Sequence, residues 1–309
     1  MNNTVAVVGA NGHTARFVRT HLDALGLVPK PVGREDASID DPSSLDHALA
    51  GVAAVVNCAG PFADTALPVV EAALRAGVHY FDIAAEQAVT MDLLTRFDAP
   101  ARRTGVVVAP SMAFYGGLGD LLATAAAGDW QAVDEVAIAI ALDSWLPTAG
   151  TRRTIARNAG RHVVYADGEF TPPAAPSTVR WEFPFGERKL TELSTADQVT
   201  IAHHLRTRRI TVHMNDEPLA DLADPTTPAP VPVDDLGRSA QTFHVDVVVR
   251  RGGEERRASA AGQDIYAASG PIVAGAVARV LGGRYRGALT AGRLPPDFMR
   301  SLAPFVRVL

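Results

Sequence analysis

The sequence predicts an α/β fold: a doubly wound parallel sheet followed by a second, mixed α+β domain. Through residue 109, short apolar strands alternate with amphipathic helices at intervals of about twenty residues, the grammar of a parallel sheet covered on both faces. A glycine turn joins the first strand directly to the first helix. After Pro110 the pattern switches to alternating strands and hairpins. The expected division is residues 1–118 and 119–263, with the helices of 264–309 packing back on the first domain.

Thr4 to Val8 is the first strand, ending abruptly at Gly9. Ala15, Val18, Leu22 and Leu25 then recur at helical spacing with polar residues between them, and Gly26 stops the helix. Leu27 to Arg34 is expected as the second strand, although Pro29 and Pro31 are awkward in a strand interior. Ala37 to Asp40 is expected as a short third strand. Asp41-Pro42 opens a helix, with aspartate as N-cap and proline at the first position. Ala53 to Cys58 is a nearly continuous apolar strand, as in a sheet buried on both faces. Val78 to Ala84 and Val106 to Ala109 are the fifth and sixth strands, with helices before and between them.

In the second half, Val136, Ile138, Ile140 and Leu142 alternate with alanines, which gives a strand one bulky and one thin face. Thr151 to Ala159 is expected to be helical, and Arg161 to Phe170 a hairpin around Asp167-Gly168. Thr195 and Gln198 have the spacing of a capping box. Arg209 to Met214 is a strand, and Asp224 to Asp235, rich in proline, a surface loop. Gln241 to Ala260 makes a second hairpin about Gly252-Gly253. Ile272, Val273, Ala276, Val277 and Val280 stripe a late helix.

The chain has 309 residues, 47% of them hydrophobic and 20% charged, with a net charge of −5. This is ordinary globular composition, and nothing in it points to nucleic acid or an anionic membrane surface. The single cysteine, Cys58, excludes an intrachain disulfide and fits a reducing, cytoplasmic setting. It reads as a small core residue more readily than as a reactive thiol. The nearest approach to a spanning segment, Ile272 to Leu281, contains Arg279. Lys30 and Lys189 are the only lysines, and neither follows a tyrosine in a Tyr-x-x-x-Lys pair. No His-Glu-x-x-His or thiolate spacing suggests a metal site, and no Gly-x-Ser-x-Gly elbow suggests a hydrolase.

The glycine turn carries the functional reading. Strand, Gly-x-x-Gly turn and helix form the context in which a dinucleotide fingerprint has meaning, that of a Rossmann-type sheet. Gly9 lets the chain turn sharply, Gly12 lets backbone approach a pyrophosphate, and Ala15 lets helix and strand pack closely. The anion then lies on the unpaired N–H groups of the helix N-terminus. Where an acid would hold a ribose 2′-hydroxyl, roughly 20 residues on, the sequence offers Gly33-Arg34. A small residue with an arginine suits a 2′-phosphate and favours NADP (NADPH) over NAD, although Glu35 and Asp36 are close by. The alternative is an arginine at a solvated strand end.

Several blocks together resemble one family. Gly9-Ala10-Asn11-Gly12-His13-Thr14-Ala15 resembles its opening glycine pattern. Asn57-Cys58-Ala59-Gly60-Pro61-Phe62, then Ala76 to Asp82 and Glu86, resembles its second block. The family is that of the saccharopine dehydrogenase-like oxidoreductases, including the trans-acting enoyl reductase branch; Gly262 to Tyr266 is similar to a C-terminal block of that branch. The resemblance implies a Rossmann domain with a further α/β domain, a nicotinamide cofactor, and often dimers. It implies that Gly9, Gly12 and Ala15, with Asn11, His13 and Thr14 beside them, hold the pyrophosphate, and that Arg34 holds the 2′-phosphate. Ala59, Gly60 and Pro61 would line the ribose and nicotinamide. Ser111 to Asp120 departs from the segment usual in the enoyl reductase branch.

For chemistry the protein need only position substrate and supply a proton or an oxyanion partner, because the cofactor carries the hydride. Tyr115 is the preferred proton donor, or else an aromatic packed at the domain junction. Glu86 either orients substrate or caps the next helix. Arg152 and Arg153 offer a carboxylate clamp or a solvated helix face. The leading expectation is an NADPH-dependent reductase of a C=C, C=N or C=O bond in a small-molecule or acyl substrate, in the cytoplasm and as a homodimer. The alternatives are a cofactor-binding sensor or regulator without catalysis, and more remotely an assembly factor.

Overall fold

The structure, a computed structural model, describes residues 2–308. Strands β1 (Thr4–Val8), β2 (Val28–Val32), β3 (Ala54–Asn57), β4 (His79–Asp82) and β5 (Val107–Ala109) lie parallel in one sheet. Its order is β2, β1, β3, β4, β5, then a two-residue strand at Gly287–Ala288 that returns from the far end of the chain. The third strand expected from the sequence does not form. Ala37–Asp40 is not a strand, and the sixth place is filled by Gly287–Ala288 instead. In the 33–40 segment the backbone bonds to nearby side chains: Gly33 N to Asp36 at 2.7 Å, Ser38 N to Ser44 Oγ at 2.9 Å and Asp40 N to Ser38 Oγ at 3.2 Å. Such local bonds compete with a ladder and win where no neighbouring strand is in reach.

Pro29 and Pro31 are tolerated because β2 is an edge strand. Val28 N bonds toward β1, so the two proline nitrogens face the open side. Along β1, Val5 and Val7 pack into one core and Ala6 and Val8 into another, all at most 7% exposed. That two-sided burial is why the strand reads as continuously apolar. Helix α1 (His13–Ala24) covers the first face; α2 (Pro42–Leu49) and α3 (Phe62–Ala76) cover the second. Asp41 caps α2 as its sequence suggests, accepting Ser43 N at 2.9 Å. Helices α4 (Gln87–Arg96) and α5 (Asp98–Thr104) lead to β5.

An irregular turn at Phe114–Leu118 leads into α6 (Gly119–Ala127) and the second sheet. Its members are β6 (Glu135–Leu142), the hairpin β7 (Val164–Ala166) and β8 (Glu169–Thr171), and β9 (Thr178–Phe183) with β10 (Gly186–Leu193). Then come β11 (Arg209–Asn215), β12 (Thr242–Arg251) and β13 (Glu254–Gln263). Helices α7 (Ala149–Asn158), α8 (Ala196–Ala202) and α9 (Asp216–Ala223) join them, and α8 carries the full capping box of Thr195 and Gln198. The bulky face of β6 enters the main core, while Ala139 and Ala141 on the thin face receive Phe183 and Leu190 of the β9–β10 hairpin. Alanine is needed there because the hairpin folds over that face, carrying Trp181 Nε1 to within 2.8 Å of Asp246.

Helix α10 (Ile265–Gly282) returns to pack along α1. It is long and apolar enough to cross a membrane by composition, but 72% of it is buried within the protein. After the Gly287–Ala288 strand (β14), α11 (Asp297–Ser301) and β15 (Arg307–Val308) follow, the latter pairing with β13 of the second sheet.

Candidate functional site

The first sheet changes winding direction between β1 and β3, and open sheets bind ligands beyond the strand C-termini at such a point. Here the two strand ends converge. Gly9 turns with φ +74°, and a Cβ on it would lie 2.9 Å from the Cα, Cβ and N of Ala59, so the turn at β1 presses on the loop after β3. Gly12 N closes the turn on Gly9 O at 2.9 Å. Gly12 is the N-cap of α1 and offers no side-chain cap, so the first N–H groups of the helix are left for a ligand. Asn11 is exposed at the turn tip, His13 and Thr14 are half-buried in the first helical turn, and Ala15 is buried beneath them. Asn57 shapes the facing loop: its Oδ1 accepts Ala59 N at 3.0 Å and its Nδ2 donates to Thr65 Oγ1 at 3.1 Å. Burial pushes the Cys58 thiol up.

Glu86 has a position that its sequence does not reveal. Its two carboxylate oxygens accept Phe62 N at 2.7 Å and Ala63 N at 3.0 Å, so it caps α3, the helix before it, across 24 residues of chain. The helix dipole favours an anion there. Both oxygens are committed, and the residue acts by holding the Gly60-Pro61 loop. Nearby, Asp82 is fully buried at the end of β4 and accepts Ser111 N at 2.7 Å, Ala84 N at 3.0 Å and the Tyr80 hydroxyl at 2.8 Å. Burial raises its pKa to about 6 despite those bonds. It ties the end of β4 to the segment that leads into Tyr115.

Arg34 stands exposed at the end of β2 on the cleft wall and makes no ion pair among the described residues. Of the two neighbouring acids, Asp36 is committed to Gly33 N, and the Glu35 carboxyl folds over Gly33. The second domain supplies the opposite wall. Gly116 (φ +92°) has no room for a side chain, since a Cβ would lie 2.6 Å from that of Ser111. This turn drives Tyr115 inward, where its ring stacks on Trp145 with centroids 5.5 Å apart. The Tyr115 hydroxyl is buried without a hydrogen-bond partner among the described residues, and burial holds its pKa well above the ordinary value.

Arg152 turns away from the cleft, donating to the carbonyls of Asp224 and Thr227 at 3.0 and 2.9 Å; Arg153 is the arginine on the cleft wall. The clamp expected at Arg152 is therefore a brace for the proline-rich loop. Tyr266 is the wall residue that sequence reasoning left without a role. Its hydroxyl lies within hydrogen-bond reach of Trp145 Nε1 (3.2 Å), Thr148 N (3.3 Å), Thr151 Oγ1 (3.0 Å) and Leu146 O (3.3 Å). It pins the 145–151 segment against α10, and its place in the Gly262–Tyr266 block was the available signal. Tyr266→Phe should cost about 1–3 kcal/mol, because donors on Trp145 and Thr148 lose their acceptor. Urea unfolding of the two proteins measures this, and equal midpoints would remove the hydroxyl as the anchor.

Together these walls enclose a cleft of about 2190 Å³ between the two domains. The glycine turn, the uncapped helix start and Arg34 fit a dinucleotide in donor set and in space. Residues 15–112 match the family model described as the saccharopine dehydrogenase NADP binding domain. That stretch of the first domain is similar to the NADP binding domain of saccharopine dehydrogenase. No curated protein matches the chain by sequence. Solved structures resemble it over both domains. Apo saccharopine dehydrogenase (L-Glu forming) from Saccharomyces cerevisiae has a TM-score of 0.62 at 12% identity, covering 100% of this chain and 99% of that one. C. glutamicum DAP dehydrogenase in complex with DAP has a TM-score of 0.50 at 17% identity, covering 97% and 96%. An engineered D-amino acid dehydrogenase bound to NADP+ has a TM-score of 0.51 at 16% identity, again covering 97% and 96%. At such identities the likeness establishes a shared two-domain fold. The matched stretch ends at Met112, two residues short of the Phe114–Leu118 turn that presents Tyr115.

Proposed function

We propose that the protein is a nicotinamide-dependent oxidoreductase that uses NADPH to reduce a C=C, C=N or C=O bond of a small-molecule or acyl substrate. The observation that carries this reading is the uncapped start of α1 behind the Gly9–Gly12 turn, opening into the cleft beside the loop after β3. The match of residues 15–112 to an NADP binding domain supports it, as do the dehydrogenase folds that span the whole chain. The nicotinamide, when bound, supplies the hydride. The α1 N–H groups and Gly12 hold the pyrophosphate, Arg34 the 2′-phosphate, and the Glu86-capped loop at Ala59-Gly60-Pro61 borders the ribose and ring. Trp145 and Tyr115 form an apolar wall that keeps water from the reacting bond, and the Tyr115 hydroxyl supplies the proton. Since burial keeps that hydroxyl protonated, its ionisation should leave no limb in the rate profile near neutral pH.

A cofactor sensor needs only a dinucleotide site and a partner surface. A small-ligand pocket occupies about 300–1,000 Å³, and a cleft of 2190 Å³ leaves space for a second ligand. This favours the enzyme. The test is NADPH oxidation by the purified protein against a panel of enoyl, imine and keto compounds; no turnover on any of them would favour the sensor. On cofactor choice, NADPH should bind more tightly than NADH, and Arg34→Ala should erase a gap of roughly tenfold to a hundredfold, as expected for one charge-assisted contact. Calorimetric titration of both cofactors into both proteins measures it, and equal affinities in the unmutated protein would sink the 2′-phosphate role.

A further inference from the structure

The cleft extends past the cofactor wall to a cluster on the second sheet where Ser177, Glu192 and His213 meet. Glu192 and His213 are cross-strand partners on β10 and β11. One Glu192 oxygen, Oε2, accepts both Ser177 N at 3.1 Å and the Ser177 hydroxyl at 2.6 Å. Ser177 has given its only hydroxyl proton to Glu192, so at 3.1 Å its oxygen accepts from His213 Nε2–H. His213 is 4% exposed, and burial lowers its pKa, so it stays neutral there. The cluster therefore orients the carboxylate without neutralising it.

Glu192 makes no ion pair among the described residues, and its Oε1 has no hydrogen-bond partner there. Arg209, which also faces this part of the cleft, reaches toward Glu135 at 4.0 Å. A half-buried carboxylate on a ligand cleft, held by a serine and backed by a neutral imidazole, lacks a donor to one oxygen and an ion-pair partner. An ammonium group supplies both, whereas a carboxylate or phosphate would be repelled.

We propose that Glu192, held by Ser177 and His213, binds a primary ammonium group on the part of the substrate remote from the reacting bond. The inference rests on the reading of the cleft as a substrate site; it makes Glu192 a specificity-determining residue with no part in hydride transfer. The probes are 1,5-diaminopentane and pentane-1,5-diol, matched in length and differing in charge. Each is titrated calorimetrically into the full-length protein, with and without saturating NADP+. The diamine should bind roughly tenfold to a hundredfold more tightly than the diol, the range of one charge-assisted contact. In Glu192→Gln, which keeps an acceptor for Ser177, that gap should close, and in Ser177→Ala it should narrow. Equal affinities in the unmutated protein, no diamine binding, or a gap that survives Glu192→Gln would each overturn the proposal. Failure of NADP+ to bind would instead remove the cofactor reading, and the titrations without NADP+ would still decide the role of Glu192. Should Glu192→Gln not fold, as judged by its melting curve, Ser177→Ala carries the comparison.

Discussion

Gly9→Ala should leave NADPH binding undetectable and destabilise the protein by about 2–5 kcal/mol. Two costs add. A residue with a Cβ at φ +74° gives up about 1–2 kcal/mol, and the new methyl meets Ala59 backbone at 2.9 Å, where overpacking costs typically about 1–3 kcal/mol. Backbone cannot swing aside as a flexible side chain can, so the turn and the loop after β3 must separate. Gly12→Val separates binding from folding. Its backbone has an ordinary φ of −70°, and a Cβ would press only Gly9 O, at 3.1 Å. The branched side chain would occupy the space over the helix start. Losing two charge-assisted contacts there amounts to about a hundredfold in affinity or more, with little change in unfolding without cofactor. A Gly12→Val protein that binds NADPH normally would mean that the phosphates lie elsewhere.

The second large effect belongs to Tyr115. If its hydroxyl supplies the proton, Tyr115→Phe should slow turnover by about a hundredfold to ten-thousandfold on whichever substrate the panel identifies. Stability should move the other way. The hydroxyl is buried without a partner in the free protein, a state that costs about 1–3 kcal/mol, and phenylalanine keeps the stack on Trp145. The Phe variant should therefore melt at the same temperature or higher while turning over far more slowly. A tyrosine that merely fills the domain junction predicts the same melting curve with the rate unchanged. The rate decides between the two, and a melting curve from the same preparation shows that the variant is folded.

The parts of this structure that were legible in the sequence are those fixed by neighbours in the chain. The β1–Gly9–α1 turn, the Asp41-Pro42 start, the Thr195–Gln198 capping box and the Asp167-Gly168 hairpin each rest on residues within a few positions of one another. What escaped depends on partners far along the chain. Glu86 stands just before α4, and only the folded sheet shows that its carboxylate reaches α3. Arg152 reads as a clamp until the loop carbonyls of Asp224 and Thr227 are in place. Gly287–Ala288 is too short to carry any periodicity and is a strand only because β5 is there to pair with it. The β9–β10 hairpin is different. Val179, Trp181 and Phe183 alternate with charged residues, a readable period of two, yet proline on both sides obscures it.

The returning strand has a consequence for how the protein is made. Until Gly287 and Ala288 leave the ribosome, the outer edge of β5 has no partner, and α10 is not there to cover α1. At about 5–20 residues per second, synthesis from β5 to that strand takes roughly ten to forty seconds. Throughout that interval the nascent first domain exposes an unpaired parallel edge and an open apolar helix face, the surfaces on which chains pair wrongly with one another. Vectorial folding therefore cannot finish the first domain before the second. The two must close together, and a fragment ending after β5 should be insoluble rather than a smaller nucleotide-binding protein.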